Sequence, residues 1–143
     1  MKLSILSFIL IFFAINDCSN EGQEEIKSVS YKTYTRGSSS TYTITSEEIK
    51  VISTGVEAKE NSEVITKEQW EMITSEIKKI DTSKLEDLEA PTESRASDAA
   101  AHAELSLIIG NSEFNSSTFD HGNPPEALKP LVQAILRLAE NVE

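Results

Sequence analysis

The sequence predicts an α+β fold: an antiparallel sheet of four to five strands in ββ(β)αββα order, with two helices on one face. Three observations predict it. Apolar and polar residues alternate with period two between Ile26 and Thr54, the pattern of half-buried strands. Two further extended runs meet at Gly110-Asn111, a two-residue turn signal for a β-hairpin. Stripes of helical period cover 66–80 and 128–142, and helices sharing a core with an antiparallel sheet cover one of its faces.

The length of 143 residues leaves room for one domain. We assign 26–143 to it, 1–17 to a signal peptide, and 18–25 to an anchor cysteine with its tether. The chain carries 13 Lys and Arg against 24 Asp and Glu, a net charge of −11. Removing 1–17 takes away one charge of each sign, Lys2 and Asp17, so the balance stays at −11. Such a surface excludes a nucleic-acid partner, which needs a basic footprint, and opposes adsorption of the domain to anionic lipid. It keeps the domain soluble, or draws it to a basic partner.

The elements follow in order. Lys2 is a positive n-region, and Leu3–Ile15 is apolar except for Ser4 and Ser7. The run has the length of a signal-peptide h-region and is short for a bilayer span; the other reading is a short anchor or a buried N-terminal helix. Cys18 is the single cysteine, so no internal disulfide forms. Asn20–Glu25 is a polar tether with no capacity to bury a core.

In the first strand Val29, Tyr31, Thr33 and Thr35 alternate with Ser30, Lys32, Tyr34 and Arg36. After Gly37-Ser38-Ser39-Ser40, Tyr42 and Ile44 share a face of the second strand. Ser46-Glu47-Glu48 turns the chain into a third strand, Ile49–Ser53. Tyr31, Tyr34 and Tyr42 are read as sheet packing, with a recognition patch as the other reading. Gly55–Ile65 is expected to be a mobile loop. Thr66 with Gln69 forms a capping-box signature opening a helix to Ile80, in which Trp70, Ile73, Ile77 and Ile80 form the apolar stripe. Asp81–Ala100 is a connector pinned by Leu85 and Leu88.

In the hairpin 101–120, which we expect at the centre of the sheet, a loop at Gly110-Asn111 sets Leu107 opposite Phe114, Leu105 opposite Ser116 and Ala103 opposite Thr118. On the solvent side His102 then faces Phe119. Asn123 reads as the N-cap of the last helix, Pro124 as its first residue and Glu126 as the capping-box partner. Pro130 predicts a tight or bent first turn.

No catalytic, cofactor or nucleotide motif is present. Ser97, Asp98 and His102 hold the residue types of a nucleophile, an acid and a base, but no glycine-flanked strand-turn-helix elbow surrounds Ser97. His102 and His121, with Asp98 or Asp120, match no metal-ligand spacing. The expectation is therefore a non-enzymatic chain without cofactor or metal, and with unidentified binding residues.

Resemblances to known families add to this. Cys18, directly after the apolar run, resembles the lipidated cysteine of bacterial lipoproteins, although Ile15-Asn16-Asp17 departs from the small-residue tripeptide usual there. The other reading is signal cleavage nearby, leaving a free or intermolecular thiol. Asn20–Glu25 is similar to the acidic stretch that follows the cysteine in surface-exported lipoproteins of Bacteroidetes. These imply a bacterial cell-envelope location and attachment to the outer or inner membrane through an N-terminal lipid on Cys18.

From Ser28 to Ala139 the chain resembles small domains of bacterial envelope proteins, on Tyr42–Glu48, on Ile65–Trp70 and on Phe119–Leu128. The layout is also similar to emfourin-like inhibitors of thermolysin-type metalloproteases. The resemblance implies a protein partner, either an envelope protein or a protease occluded by a loop such as Gly55–Ile65 or Asp120–Asn123.

Overall fold

A computed structural model of the chain describes residues 24–142. Seven strands and two α-helices follow one another: β1 (Ile26–Tyr34), β2 (Ser39–Thr45), β3 (Glu48–Thr54), β4 (Lys59–Val64), α1 (Lys67–Ile77), β5 (His102–Ile109), β6 (Ser112–Asn115), β7 (Phe119–Asp120) and α2 (Lys129–Ala139). Short 3-10 turns at Thr82–Asp87, Ser94–Ser97 and Glu126–Leu128 fill the connections. The fold is α+β with an antiparallel sheet in the order β4-β3-β2-β1-β5-β6, and β7 also pairs with β5.

The sheet has more strands than the four to five expected. Most of the presumed loop Gly55–Ile65 is strand β4, which leaves only Gly55–Ala58 as a turn. The sequence of β4, Lys-Glu-Asn-Ser-Glu-Val, shows no alternation because this edge strand is exposed on both faces. Its charges also protect the unpaired edge from further strand addition. The axis of the sheet is β1 rather than the 101–120 hairpin: β5 is interior, but β6 is an edge.

The period-two patterning places one face of each inner strand in the core. Val29 and Tyr31 of β1, Ile44 of β2, and Ala103, Leu105 and Leu107 of β5 are fully buried. They join Ile73 and Ile77 of α1, Leu85 of the connector, and Leu131, Val132 and Ile135 of α2 in one cluster. Each such Leu or Ile contributes about 1.5–3 kcal/mol over leaving it exposed. Trp70, Leu88 and Ile80 pack partly buried at its margin. Helix α1 opens on the expected capping box: Gln69 N donates to Thr66 Oγ1 at 3.2 Å, and Thr66 N donates to Gln69 Oε1 at 2.8 Å. It ends at Ile77, one turn before Ile80.

The hairpin turn forms at Gly110, whose φ of +58° suits the first position of a primed two-residue turn. Leu107 faces Phe114 and Ile108 faces Glu113, as the spacing predicts. Beyond Asn115 the register slips by one. Ser116 occupies a bulge, its N–H donating to Leu105 O at 2.8 Å and its Oγ accepting from Leu105 N at 3.0 Å. Ala103 therefore stands opposite Phe119 rather than Thr118, and His102 opposite Asp120 rather than Phe119. A slip of one residue exchanges the faces of a strand, so Phe119 enters the core instead of the solvent side.

The approach to α2 also differs from expectation. Asn123 is not its N-cap. Pro124 and Pro125 lead into the 3-10 turn Glu126–Leu128, and α2 begins at Lys129. Pro130 then lies in the first turn, where a missing N–H costs nothing, and the tight turn the sequence anticipates is the 3-10 segment before it.

Candidate functional site

Two features stand out from the packed scaffold: a cleft at one end of the sheet and the sheet face opposite the helices.

One wall of the cleft is held in place from below by Asp120. This residue is 2% exposed at the end of β7. Its carboxylate accepts from Thr92 Oγ1 at 2.6 Å, Ser94 N at 2.7 Å, Arg95 N at 3.0 Å and Arg95 Nη1 at 3.1 Å. Burial alone raises a carboxyl pKa, but the hydrogen bonds from Thr92, Arg95 and Ser94 outweigh it and hold Asp120 well below the ordinary range. The result is a clip that fastens the connector at 92–98 to the sheet. Asn123 Nδ2 donates to Thr92 Oγ1 at 3.0 Å and extends it.

Fastening the connector this way brings Arg95 to the lining of the cleft. Its Nη1 donates to Thr92 O at 2.7 Å as well as to Asp120, and its side chain is 17% exposed. Across from it, Arg36 leaves the end of β1, and its Nη2 lies 2.9 Å from Asp98 Oδ2 in an exposed ion pair. Asp98 closes the 3-10 turn with φ +57°, the one positive φ at a non-glycine among the described residues. The ring of Tyr34 stacks on His102 at 5.0 Å and 9°. Together with Ala96, Ala99 and Ala100 these residues enclose a cleft of about 550 Å³, a size that takes a small molecule or the end of a chain.

Of the trio Ser97, Asp98 and His102, the structure brings Asp98 and His102 to the cleft but does not couple them. Asp98 pairs with Arg36, His102 stacks on Tyr34, and Ser97 Oγ donates to Ser94 O at 3.1 Å. The residues weighed for a metal are engaged elsewhere: Asp120 is enclosed by donors, Asp98 pairs with Arg36, and His121 Nδ1 lies 2.9 Å from Tyr31 Oη. Among the described residues no three His, Cys, Asp or Glu side chains converge to hold a metal ion.

The three tyrosines divide between the faces. Tyr31 is buried between Tyr42 at 6.1 Å and Phe119 at 6.2 Å. Burial, with a smaller contribution from Tyr42, pushes its phenol far above the usual value, while the Gly122 N–H opposes the shift. Tyr34 lies on the opposite face, with Lys32 Nζ 5.3 Å from its ring centroid.

That opposite face is bare. Ser30, Thr43 and Ser106 sit in register across β1, β2 and β5, and Ser30 Oγ is 3.1 Å from Thr43 Oγ1. The ion pairs Lys32–Glu104 at 3.3 Å and Lys50–Glu60 at 2.5 Å flank them, with Ile52 and Ile108 exposed.

The sequence reading missed Arg36 and Arg95. Their signal was compositional: the chain has three arginines, the third being Arg137, and the fold gathers two at one site. Cys18 and the apolar leader lie outside the described residues, among which no helix is long and apolar enough to cross a membrane. No protein-family model matches the chain, and no curated protein matches it.

Proposed function

We propose that the chain is a lipid-anchored, non-enzymatic binding module of the bacterial cell envelope, held through Cys18 and engaging a protein partner with the bare face of its sheet. The observation that carries this reading is the face itself. Both helices contribute to one core on one side of the sheet, leaving β1, β2, β3 and β5 presenting a flat array of hydroxyls, ion pairs and isolated aliphatic groups on the other.

The direction of β1 supports the tethered arrangement. Its start at Ile26 adjoins the Gly110 turn, where Gly110 N donates to Glu25 O at 2.8 Å. Its other end, Tyr34, opens on the cleft. The eight residue steps of the strand separate the two by about 27 Å. The residues from Cys18 to Ile26 span at most about 28 Å when extended. The tether therefore enters the domain beside the Gly110 turn, at the opposite end of β1 from the cleft.

The mass of the mature N-terminal fragment from a bacterial host, with and without a lipoprotein signal-peptidase inhibitor, tests the anchor. An acyl-modified Cys18 that disappears with the inhibitor is the expected result, and an unmodified N-terminus refutes it. A photo-crosslinker at Ser30, compared with one at Gln133 on α2, tests the face. Envelope cross-links confined to Ser30 and competed by unlabelled chain are expected; equal labelling from both positions rejects the face as the site.

One observation favours a second reading, that of an emfourin-like metalloprotease inhibitor. Val56 projects fully exposed from the Gly55–Ala58 turn, an apolar side chain on a loop tip of the kind a protease cleft accepts. Inhibition of a thermolysin-type protease that is lost in Val56→Asp would establish this reading, and no inhibition by the native chain would end it.

A further inference from the structure

We infer that the cleft between Arg36 and Arg95 is a binding site for a carboxylate, presented on a short aliphatic skeleton such as the C-terminal end of a peptide. This deepens the binding-module reading and rests on it, but uses a different surface from the bare sheet face.

The cleft collects two of the three arginines of a chain with a net charge of −11. Each guanidinium already holds a carboxylate of the chain itself. Asp120 grips Arg95 through Nη1 only; Nε and Nη2 make no hydrogen bond among the described residues. A guanidinium locked along one edge keeps its other donors oriented, and two parallel N–H donors match the two oxygens of a carboxylate. Because Asp120 lies beneath the connector, the lock does not compete for the cleft.

Arg36 is held differently. Its pair with Asp98 is exposed, at 89% and 61% for the two side chains, and exposed pairs are weak. Asp98 therefore stands where a ligand carboxylate would, and an incoming one displaces it at small cost. The charge already present limits the ligand: Asp98 and Asp120 beside the two arginines oppose a dianionic phosphate more than a singly charged carboxylate. Ala96, Ala99 and Ala100 give the cleft a smooth apolar wall suited to small side chains.

The test is a titration of the full chain, followed by NMR at Arg36, Arg95 and His102. The probes are tetra-alanine with a free C-terminus, its C-terminal amide, and glucuronate. Saturable shifts with the free acid, at least tenfold weaker with the amide, are expected. Arg36→Gln should weaken binding about tenfold, and Asp98→Asn, which removes the internal competitor, should tighten it about threefold. Both positions are exposed, and Asn tolerates the left-handed backbone of Asp98, so both variants fold. Glu113→Gln on β6 changes net charge as Asp98→Asn does and should leave binding unaltered.

Binding of glucuronate with the same response to the two variants supports the carboxylate site and assigns a sugar acid as its source. The inference is overturned by equal binding of acid and amide, by no binding of any probe, or by Glu113→Gln matching Asp98→Asn. Either result at the cleft leaves the cross-links from Ser30 intact, and loss of those cross-links leaves the titration intact, so the two readings fail separately.

Discussion

The two faces of the sheet share one backbone and differ in what their side chains do. On the covered face Val29, Leu105 and Leu107 are wholly buried against the helices, so a change of volume is felt directly. On the bare face Ser30 and Ser106 alternate with those same residues along the same strands, and water replaces any lost contact. Stability therefore resides on one face, leaving the other free to vary. Because the alternation has period two, one strand meets both demands.

Four substitutions sharpen or break this contrast. Leu105→Ala on the covered face should cost about 3 kcal/mol in urea-unfolding experiments; a loss below 1 kcal/mol would mean the core is loosely packed there. Asp120→Asn comes next, as it removes the charge that fastens the connector. Asp120 has a folded pKa depressed below its unfolded value near 3.8. It thus stabilises the fold above about pH 4, and that contribution is lost as pH falls below this toward the folded pKa. Urea midpoints between pH 7 and pH 2 should fall steeply for the native chain and more shallowly for Asp120→Asn; parallel curves would show that the clip contributes nothing.

Thr66→Ala removes the N-cap of α1 and should cost about 1 kcal/mol by thermal unfolding. Ser30→Ala on the bare face should shift stability by no more than about 0.5 kcal/mol. If Ser30→Ala matched Leu105→Ala, the faces would not differ in the way described.

The covered face was largely legible in the sequence because burial imposes a rhythm. Val29 and Tyr31, the hairpin pair Leu107 and Phe114, and the Thr66–Gln69 box each announce themselves within a few residues. β4 was not legible, because an edge strand exposed on both faces has no rhythm to read. Nor was the slip at Ser116, where one hydroxyl takes the place of a ladder partner and carries Phe119 to the other face.

The cleft depended on contacts remote along the chain. Arg95 and Asp120 are 25 residues apart, and the pair Arg36–Asp98 joins the end of β1 to the connector before β5. Neither Ser94-Arg95-Ala96 nor Arg36-Gly37-Ser38 carries a local motif. The tempting trio of Ser97, Asp98 and His102 showed proximity in sequence without coupling in space.

The placement of β1 has a mechanical consequence. The chain enters the sheet at β1, which has the longest ladders among the described strands: seven paired positions with β2 and eight with β5. Antiparallel hydrogen bonds lie perpendicular to the strands. A pull from the N-terminus along β1 therefore loads both ladders in shear, so many bonds must yield together instead of unzipping one by one.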